Sequence, residues 1–271
     1  MQPKTPERPG PGFKLLLLGL LLLVAFSAST RARTLDMPLA ALLEQVGKQV
    51  ELFRRQYPAV TCLEEVSQAK FGKGKQIIRR QNAQFDYLIL MALDDDSLRV
   101  EESRIMKKQS GKGNKDPLLV TAGFSTLILV FDPLYQDTFE FARMPDEIVD
   151  GKQMITIHFQ HLPGTRSTAV LRLDSREIPL DLSGDAWIDP DSLAVVKITA
   201  ELAEPPAGLG LQTLSAEVRY APIRFASTEG VYWLPSVATI EVATDRQHWR
   251  NLHRFTDYRC FTVSSGSTIR R

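Results

Sequence analysis

The four histidines are the first residues whose chemistry could serve a metal site or a catalytic base. His158 and His161 are three residues apart at the end of a predicted strand, and His248 and His253 are five apart. Odd spacings along a strand point side chains to opposite faces of a sheet. Neither pair therefore predicts a shared site, and we expect no bound metal.

Other catalytic and binding motifs are missing from the sequence. There is no Gly-x-Ser-x-Gly motif of the kind that carries a serine nucleophile. Gly72–Lys75 lacks the spacing of a phosphate-binding loop, and Asp94–Asp96 lacks that of a calcium loop. Since no carboxylate pair stands out as a general acid and base, we expect no catalytic residue and no cofactor. An exported hydrolase is kept as the third-ranked hypothesis.

Cys62 and Cys260 are the only cysteines of the chain. In an oxidising compartment such a pair predicts a disulfide. It would close a long loop and stabilise the protein by roughly 5 kcal/mol at most. The alternative is two buried free thiols.

The N-terminus predicts export. Three basic residues precede an apolar run at 15–28. This arrangement is typical of a Sec-type signal peptide, and the run is short for a membrane span. Cleavage is predicted after Ser27 or after Ala32, and we assign 1–32 to the signal peptide. The protein would then be periplasmic, with an inner-membrane anchor formed by an uncleaved signal as the alternative.

Composition indicates one globular domain, which we assign to 33–271. The chain has 271 residues, of which 44% are hydrophobic and 24% charged. These values are sufficient for one sizeable core. The net charge is +1, so the chain lacks the excess of basic residues that is typical of nucleic-acid-binding proteins. No nucleic-acid partner is therefore expected.

One amphipathic helix is predicted at 36–56, with Asp36 as its cap and Pro58 ending it. Its apolar residues recur at helical spacing and form one stripe: Leu39, Leu42, Leu43, Val46, Val50 and Phe53.

Beyond residue 60 the apolar residues recur with period two, which predicts many short strands. The segment 121–131 fits either a short helix capped by Ser125 or a buried strand, and we favour a short helix over the sheet. A turn is predicted at 145–151. The basic loop 107–116 is interpreted as solvated, with contact to an acidic lipid headgroup as the alternative. The expected fold class is α+β with a strongly curved antiparallel sheet.

Two hairpin motifs and the N-terminal arrangement stand out in the sequence. The first motif is Ala186-Trp187-Ile188-Asp189, which continues through Ser192 to Val195-Val196-Lys197-Ile198. The second is Gly230-Val231-Tyr232-Trp233-Leu234-Pro235. A signal peptide that leads directly into an amphipathic helix is the third feature. Together these three features resemble the periplasmic lipoprotein-carrier superfamily, which includes the outer-membrane lipoprotein chaperone and its receptor. The resemblance implies a half-open antiparallel β-barrel with helices over its opening.

The resemblance also implies a non-enzymatic carrier of a lipid or lipoprotein acyl chain in the cell envelope. Its partner would be a lipid or an acylated protein, with peripheral contact to the membrane. An envelope protein-interaction or sensor module on the same fold is the second hypothesis, and its partner would be another envelope protein. Compared with a minimal carrier, the chain has extra sequence around 95–150. The candidate cavity residues are aromatic and aliphatic: Phe139, Phe141, Trp187, Trp233, Leu127 and Phe131.

Overall fold

The computed structural model describes residues 36–94, 97–110, 122–173, 176–205 and 210–260. The predicted signal peptide lies outside these ranges, as does most of the basic loop after residue 110. Within them no helix combines the length and the apolar character that are needed to cross a membrane.

The helix α1 spans Leu39–Gln56 and is followed by a 3-10 turn at Tyr57–Ala59. Its N-cap is Pro38, and no side chain caps it, so the prediction of a cap at Asp36 is wrong. Because the helix begins three residues later than predicted, Asp36 is too far away to reach its first free N–H groups. The predicted apolar stripe is confirmed, and its most deeply buried members are Leu42, Val46, Val50 and Phe53.

Ten of the twelve described strands form one antiparallel sheet in the order β3-β2-β1-β12-β11-β10-β9-β8-β5-β4. The sheet is not closed, and β3 and β4 are its edges. Strands β6 and β7 form a separate pair. The predicted α+β class with a curved, half-open antiparallel sheet is therefore confirmed. The strands are β1 (Val60–Phe71), β2 (Ile77–Asp94), β3 (Ser97–Ser110), β4 (Phe139–Val149), β5 (Lys152–His161), β6 (Val170–Leu173), β7 (Arg176–Pro179), β8 (Leu182–Ile188), β9 (Val195–Leu202), β10 (Leu211–Ile223), β11 (Tyr232–Thr244) and β12 (His248–Cys260).

The predicted turn at 145–151 is mostly strand, because β4 continues to Val149. Pro145 is tolerated there since β4 is an edge strand, where a missing N–H breaks no pairing on the open side. The reversal is confined to Asp150 and Gly151, which both adopt positive φ, 50° and 79°.

The hairpin of the first motif forms as predicted, with β8 and β9 joined by a turn that Asp189 organises. Its Oδ1 accepts hydrogen bonds from the backbone N–H groups of Asp191 and Ser192, at 2.8 and 3.3 Å. The ammonium of Lys152 lies 2.8 Å from the same carboxylate. Charge-assisted bonds of this kind fix a short turn firmly.

The predicted disulfide between Cys62 and Cys260 is not formed, and both side chains are free thiols. The strand register explains the difference. Cys260 lies opposite Val60, so the two cysteines are diagonal rather than facing neighbours. Diagonal positions are about 7–8 Å apart, which is beyond the usual Cα separation of a disulfide. A register shift between Thr61 and Leu63 leaves Cys62 beside Tyr258 instead.

We expect two free thiols per chain with different reactivity. Burial raises the pKa of the Cys62 thiol to about 12, so little thiolate forms at neutral pH. Cys260 is only half-buried and should be alkylated first in the folded protein. Mass spectrometry after alkylation measures this directly. In denaturant without reductant both thiols should be labelled, and a chain that takes up no label there would contradict the register.

Candidate functional site

The concave face of the sheet is covered by α1 and by a 3-10 segment at Phe124–Phe131, which we call the plug. Ser125 to Phe131 are all buried, and Val130 and Phe131 are fully so. The segment follows Gly123, whose φ of 81° is in the left-handed region, and is kinked at Thr126. The favoured prediction of a short helix over the sheet is close to this structure. The cap is Gly123 rather than Ser125.

Three phenylalanines of β4 and β5 pack together with Phe131 of the plug. Phe131 lies 5.2 Å from Phe141 and 6.1 Å from Phe159, measured between ring centroids. Phe139 lies 5.9 Å from Phe159. The structure thus brings Phe131, Phe139 and Phe141 together, and adds Phe159 of β5. Leu127 belongs to the same core.

The two candidate tryptophans are placed differently. Trp187 is buried, but it alternates along β8 with Ala186 and Ile188, which enter the core. Trp187 instead donates a hydrogen bond to Glu147 at 2.9 Å and lies under the ammonium of Lys197, 3.7 Å from the ring centroid. It is therefore on the outer face of the sheet.

Trp233 is half-buried at the margin of the core. The residues on either side of it, Tyr232 and Leu234, are the buried ones. The structure does not bring either tryptophan to the phenylalanine cluster.

Two buried tyrosines hold the first half of the plug through hydrogen bonds. The hydroxyl of Tyr87 lies 2.8 Å from Ser125 Oγ. The hydroxyl of Tyr220 donates to the carbonyl of Ser125 and accepts from the N–H of Ile128, both at 3.2 Å. Burial raises the pKa of both tyrosines, so the hydroxyls remain neutral donors.

The second half of the plug is held from α1 and from the turn that follows. Arg54 of α1 makes an ion pair of 2.7 Å with the buried carboxylate of Asp132. Gln136 donates through Nε2 to the carbonyl of Phe131 at 2.8 Å and to that of Leu43 at 3.0 Å. The plug and α1 are therefore tied to one another as well as to the sheet.

A charged cluster lies on the inner face of the sheet beside the start of the plug. The carboxylate of Glu64, which is fully buried, accepts two hydrogen bonds from Arg104, at 2.6 and 2.9 Å. Nδ1 of His253 lies 2.8 Å from the same carboxylate. Glu102 also contacts Arg104, and it accepts a hydrogen bond of 2.6 Å from the N–H of Gly123.

The space between this cluster and the plug is too small for a ligand. A void of about 10 Å³ is lined by residues of both, including Arg104, Ser125 and His253. A single water molecule needs at least that much space. The described structure is thus a closed form in which the chain's own side chains occupy the concave face.

One arrangement on the outer face has the contact order of a Ser-His-Asp triad. His158 Nδ1 lies 2.9 Å from Asp185 Oδ1, and His158 Nε2 lies 3.3 Å from Ser183 Oγ. The side chains of His158 and Asp185 are 37% and 41% exposed. Acyl transfer also requires donors aimed at the developing oxyanion. The three residues lie on β5 and β8, which are paired with each other and with the next strand on either side. The backbone N–H groups of these strands are therefore engaged in the sheet rather than aimed at an oxyanion.

The other histidines also have a carboxylate partner, with Asp181 2.8 Å from His161 and Glu241 3.2 Å from His248. In the ranges that the structure describes, no three His, Cys, Asp or Glu side chains are grouped as a metal site.

Comparison with known proteins finds structural similarity at low sequence identity. A DUF1329 family protein from Desulfovibrio piger has a TM-score of 0.45 and 8% identity, over 85% of this chain and 96% of that one. A domain described as an outer membrane lipoprotein-sorting protein from Vibrio parahaemolyticus has a TM-score of 0.38 and 9% identity, over 83% and 94%. A LolA superfamily protein from Nitrosomonas europaea has a TM-score of 0.36 and 9% identity, over 84% and 96%.

The hairpin motifs predict a resemblance to lipoprotein-sorting proteins, and two of these structures carry such a description, each at 9% identity. No family model matches the chain, and no curated protein matches it by sequence.

We expect the charged cluster to make the free energy of unfolding fall at acidic pH. Burial alone would raise the pKa of Glu64, but hydrogen bonds from His253 and Arg104 outweigh it and lower the pKa below 4.5. A carboxylate whose pKa is lower in the folded than in the unfolded protein stabilises the fold fully at any pH above its unfolded-state pKa. This stabilisation is lost as the pH falls through the folded-state pKa. Glu64→Gln should lower the free energy of unfolding at pH 7 by about 2 kcal/mol and flatten its fall below about pH 4.5.

Urea unfolding from pH 7 to pH 3 measures both effects. Glu65→Gln is the matched control, because Glu65 is the exposed neighbour and bonds to the neutral side chain of Gln84. If Glu64→Gln and Glu65→Gln gave the same slope with pH, the assigned role of the cluster would be wrong.

Proposed function

We propose that the protein binds the acyl chain of a lipid or of an acylated protein in its concave face, and that the plug moves out to admit it. The observation that carries this proposal is the plug itself: an apolar 3-10 segment that fills an open, curved sheet. An exported, envelope-located binder is consistent with the predicted signal peptide at 1–32. Catalysis is not part of the proposal.

The plug is suited to exchange with a ligand because its attachment is limited. A 3-10 helix has poorer hydrogen-bond geometry than an α-helix and is usually short. The plug is held to its surroundings by side chains such as Tyr87, Tyr220 and Gln136 rather than by pairing with a strand. Its departure would break a small number of hydrogen bonds, each with a net contribution of about 1 kcal/mol.

An acyl chain can replace the apolar contacts that the plug would give up. Five consecutive apolar side chains, from Leu127 to Phe131, are buried in the plug. Their carbon content is comparable to that of one long acyl chain. Each buried methylene contributes about 0.8 kcal/mol, so a ligand of this length can compensate for the displaced segment.

The polar partners of the plug indicate which kind of acyl compound fits. If the plug leaves, the hydroxyls of Tyr87 and Tyr220 lose their partners on Ser125 and Ile128. A buried hydroxyl without a partner costs about 1–3 kcal/mol. An ester or amide carbonyl at the head of an acyl chain would accept from these hydroxyls, whereas a plain hydrocarbon would not. We therefore propose acyl esters and amides as the ligand class.

We expect native mass spectrometry of protein from an envelope fraction, prepared without detergent exchange, to show discrete added masses. These should extract into organic solvent and fit acyl esters or amides. A mass equal to that of the bare chain, unchanged after incubation with phospholipid or lipopeptide, would contradict the proposal. A protein partner retained without lipid would favour the interaction module instead.

We expect Ser125→Ala to bind an acyl ligand about five-fold more tightly than the wild type. The substitution removes the hydrogen bond to Tyr87 and destabilises only the closed form, by about 1 kcal/mol, so the binding-competent state is more populated. Ser236→Ala is the matched control, because its hydroxyl also makes a hydrogen bond, to the carbonyl of Arg219, away from the plug. Equal affinities for the two variants, measured by fluorescent acyl-ligand titration, would refute the displacement of the plug.

The triad-like contacts of Ser183, His158 and Asp185 favour hydrolysis as a second candidate. Turnover of short-chain p-nitrophenyl esters tests it. The binder proposal expects Ser183→Ala to hydrolyse these esters at the same rate as the wild type. If the rate of ester hydrolysis fell at least 100-fold in Ser183→Ala, the protein would be a hydrolase and the binder proposal would be wrong.

A further inference from the structure

The end of the sheet where β1 turns into β2 is strongly basic. The stretch from Lys70 to Arg80 contains five Lys or Arg residues and no Asp or Glu. It also exposes two large apolar side chains, since Ile77 and Ile78 are 40% and 56% exposed. We call the stretch 70–80 the tip.

The turn that forms the tip is well defined. Gly72 donates its N–H to the carbonyl of Gln76 at 2.9 Å, and Lys75 donates its N–H to the carbonyl of Gly72 at 3.0 Å. The turn presents Lys73 and Lys75 to solvent, and Arg80 is exposed on the adjoining strand. These three cations have no ion pair with any residue in the described ranges.

Neighbouring strands extend the basic surface. The guanidinium of Arg250 lies 5.2 Å from the ring centroid of Phe71, at the base of the tip. Further along, Lys108 of β3 and Arg254 of β12 line a shallow depression of about 370 Å³. The other walls of the depression are mainly polar: Glu65, Ser67, Asn82 and Gln84.

The acidic groups in this region already have partners. Glu65 accepts from Gln84 at 2.6 Å, and Asp245 accepts from Gln212 at 2.7 Å. Glu241 is shared between His248 at 3.2 Å and Arg250 at 3.6 Å. Asp86 is paired with Lys107 at 2.9 Å. Within the parts of the chain that the structure describes, none of these carboxylates makes an ion pair with Lys73, Lys75 or Arg80, so the three cations face solvent unpaired.

We propose that the tip docks the protein on an anionic lipid membrane. Unpaired cations are attracted to the headgroups of such a surface, and adjacent exposed isoleucines can enter its interfacial layer. An apolar pair rimmed by cations fits a membrane better than a purely ionic partner, which would not use the isoleucines. The docking site is separate from the concave face and does not depend on acyl binding.

Sedimentation with vesicles of phosphatidylcholine plus phosphatidylglycerol tests the docking. Each cation at an anionic surface increases partitioning about five-fold at low salt, so Lys73→Gln/Lys75→Gln/Arg80→Gln should weaken it about 100-fold. The matched control is Lys48→Gln/Arg224→Gln/Arg259→Gln. It removes the same charge from α1 and from the opposite end of the sheet. All variants keep the same N-terminus, so any membrane contact of residues 15–28 contributes equally to each.

A separate variant, Ile77→Ser/Ile78→Ser, tests the isoleucines. It should also weaken sedimentation with the vesicles, but the dependence of sedimentation on salt concentration should stay the same. Native mass spectrometry of the tip variant should show the same acyl ligand as the wild type, so loss of docking and loss of ligand binding can be told apart. If the tip variant and the control variant sedimented equally with the anionic vesicles, the proposal would be wrong.

Discussion

An antiparallel sheet that curves without closing leaves a concave apolar face, and this face must be covered for the protein to be stable in water. Here the cover is formed by one face of α1 and by the plug at Phe124–Phe131. The remaining features of the core follow from this requirement. The phenylalanines of β4 and β5 pack upward against Phe131, and the tyrosines of β2 and β10 supply the hydrogen bonds that position the plug. A cover that is hydrogen-bonded mostly by side chains can be removed without breaking the sheet.

Buried polar groups define where the plug sits. Apolar packing is not directional, so a segment such as Leu127–Phe131 could pack in several positions. Tyr87 and Glu102 each make one hydrogen bond at a fixed place, and the hydroxyl of Tyr220 makes two. Since an unpaired buried polar atom is costly, other positions of the plug are disfavoured. The same bonds create the need for polar atoms in any ligand that takes the place of the plug.

Periodicity in the sequence predicts most of the fold. The apolar stripe from Leu39 to Phe53 predicts α1, and alternation beyond residue 60 predicts the strands. The turn chemistry around Asp189 predicts the β8–β9 hairpin. Local patterns do not contain the strand register, and the predicted disulfide between Cys62 and Cys260 was wrong for that reason.

The structure brings some of the candidate cavity residues together and separates others. Phe131, Phe139 and Phe141 do meet, whereas Trp187 points to the outer face. Its position one residue away from Ala186 and Ile188 already indicated that face. Glu64 was not among the predicted site residues. It occupies an inner-face position of β1 between Cys62 and Val66, where the alternating pattern predicts an apolar residue. The partners that make this position tolerable, Arg104 and His253, are distant in sequence and could not be inferred from it.

Hydrogen exchange of the plug amides tests most directly whether an acyl ligand displaces the plug. We predict that saturating an apo sample with a lipopeptide, with binding verified by native mass spectrometry, makes the amides of 126–132 exchange faster. The amides of β5 should not exchange faster, because the sheet remains paired. Unchanged or slower exchange at 126–132 in the ligand-bound protein would contradict the account, since the plug would then stay in place when the ligand binds.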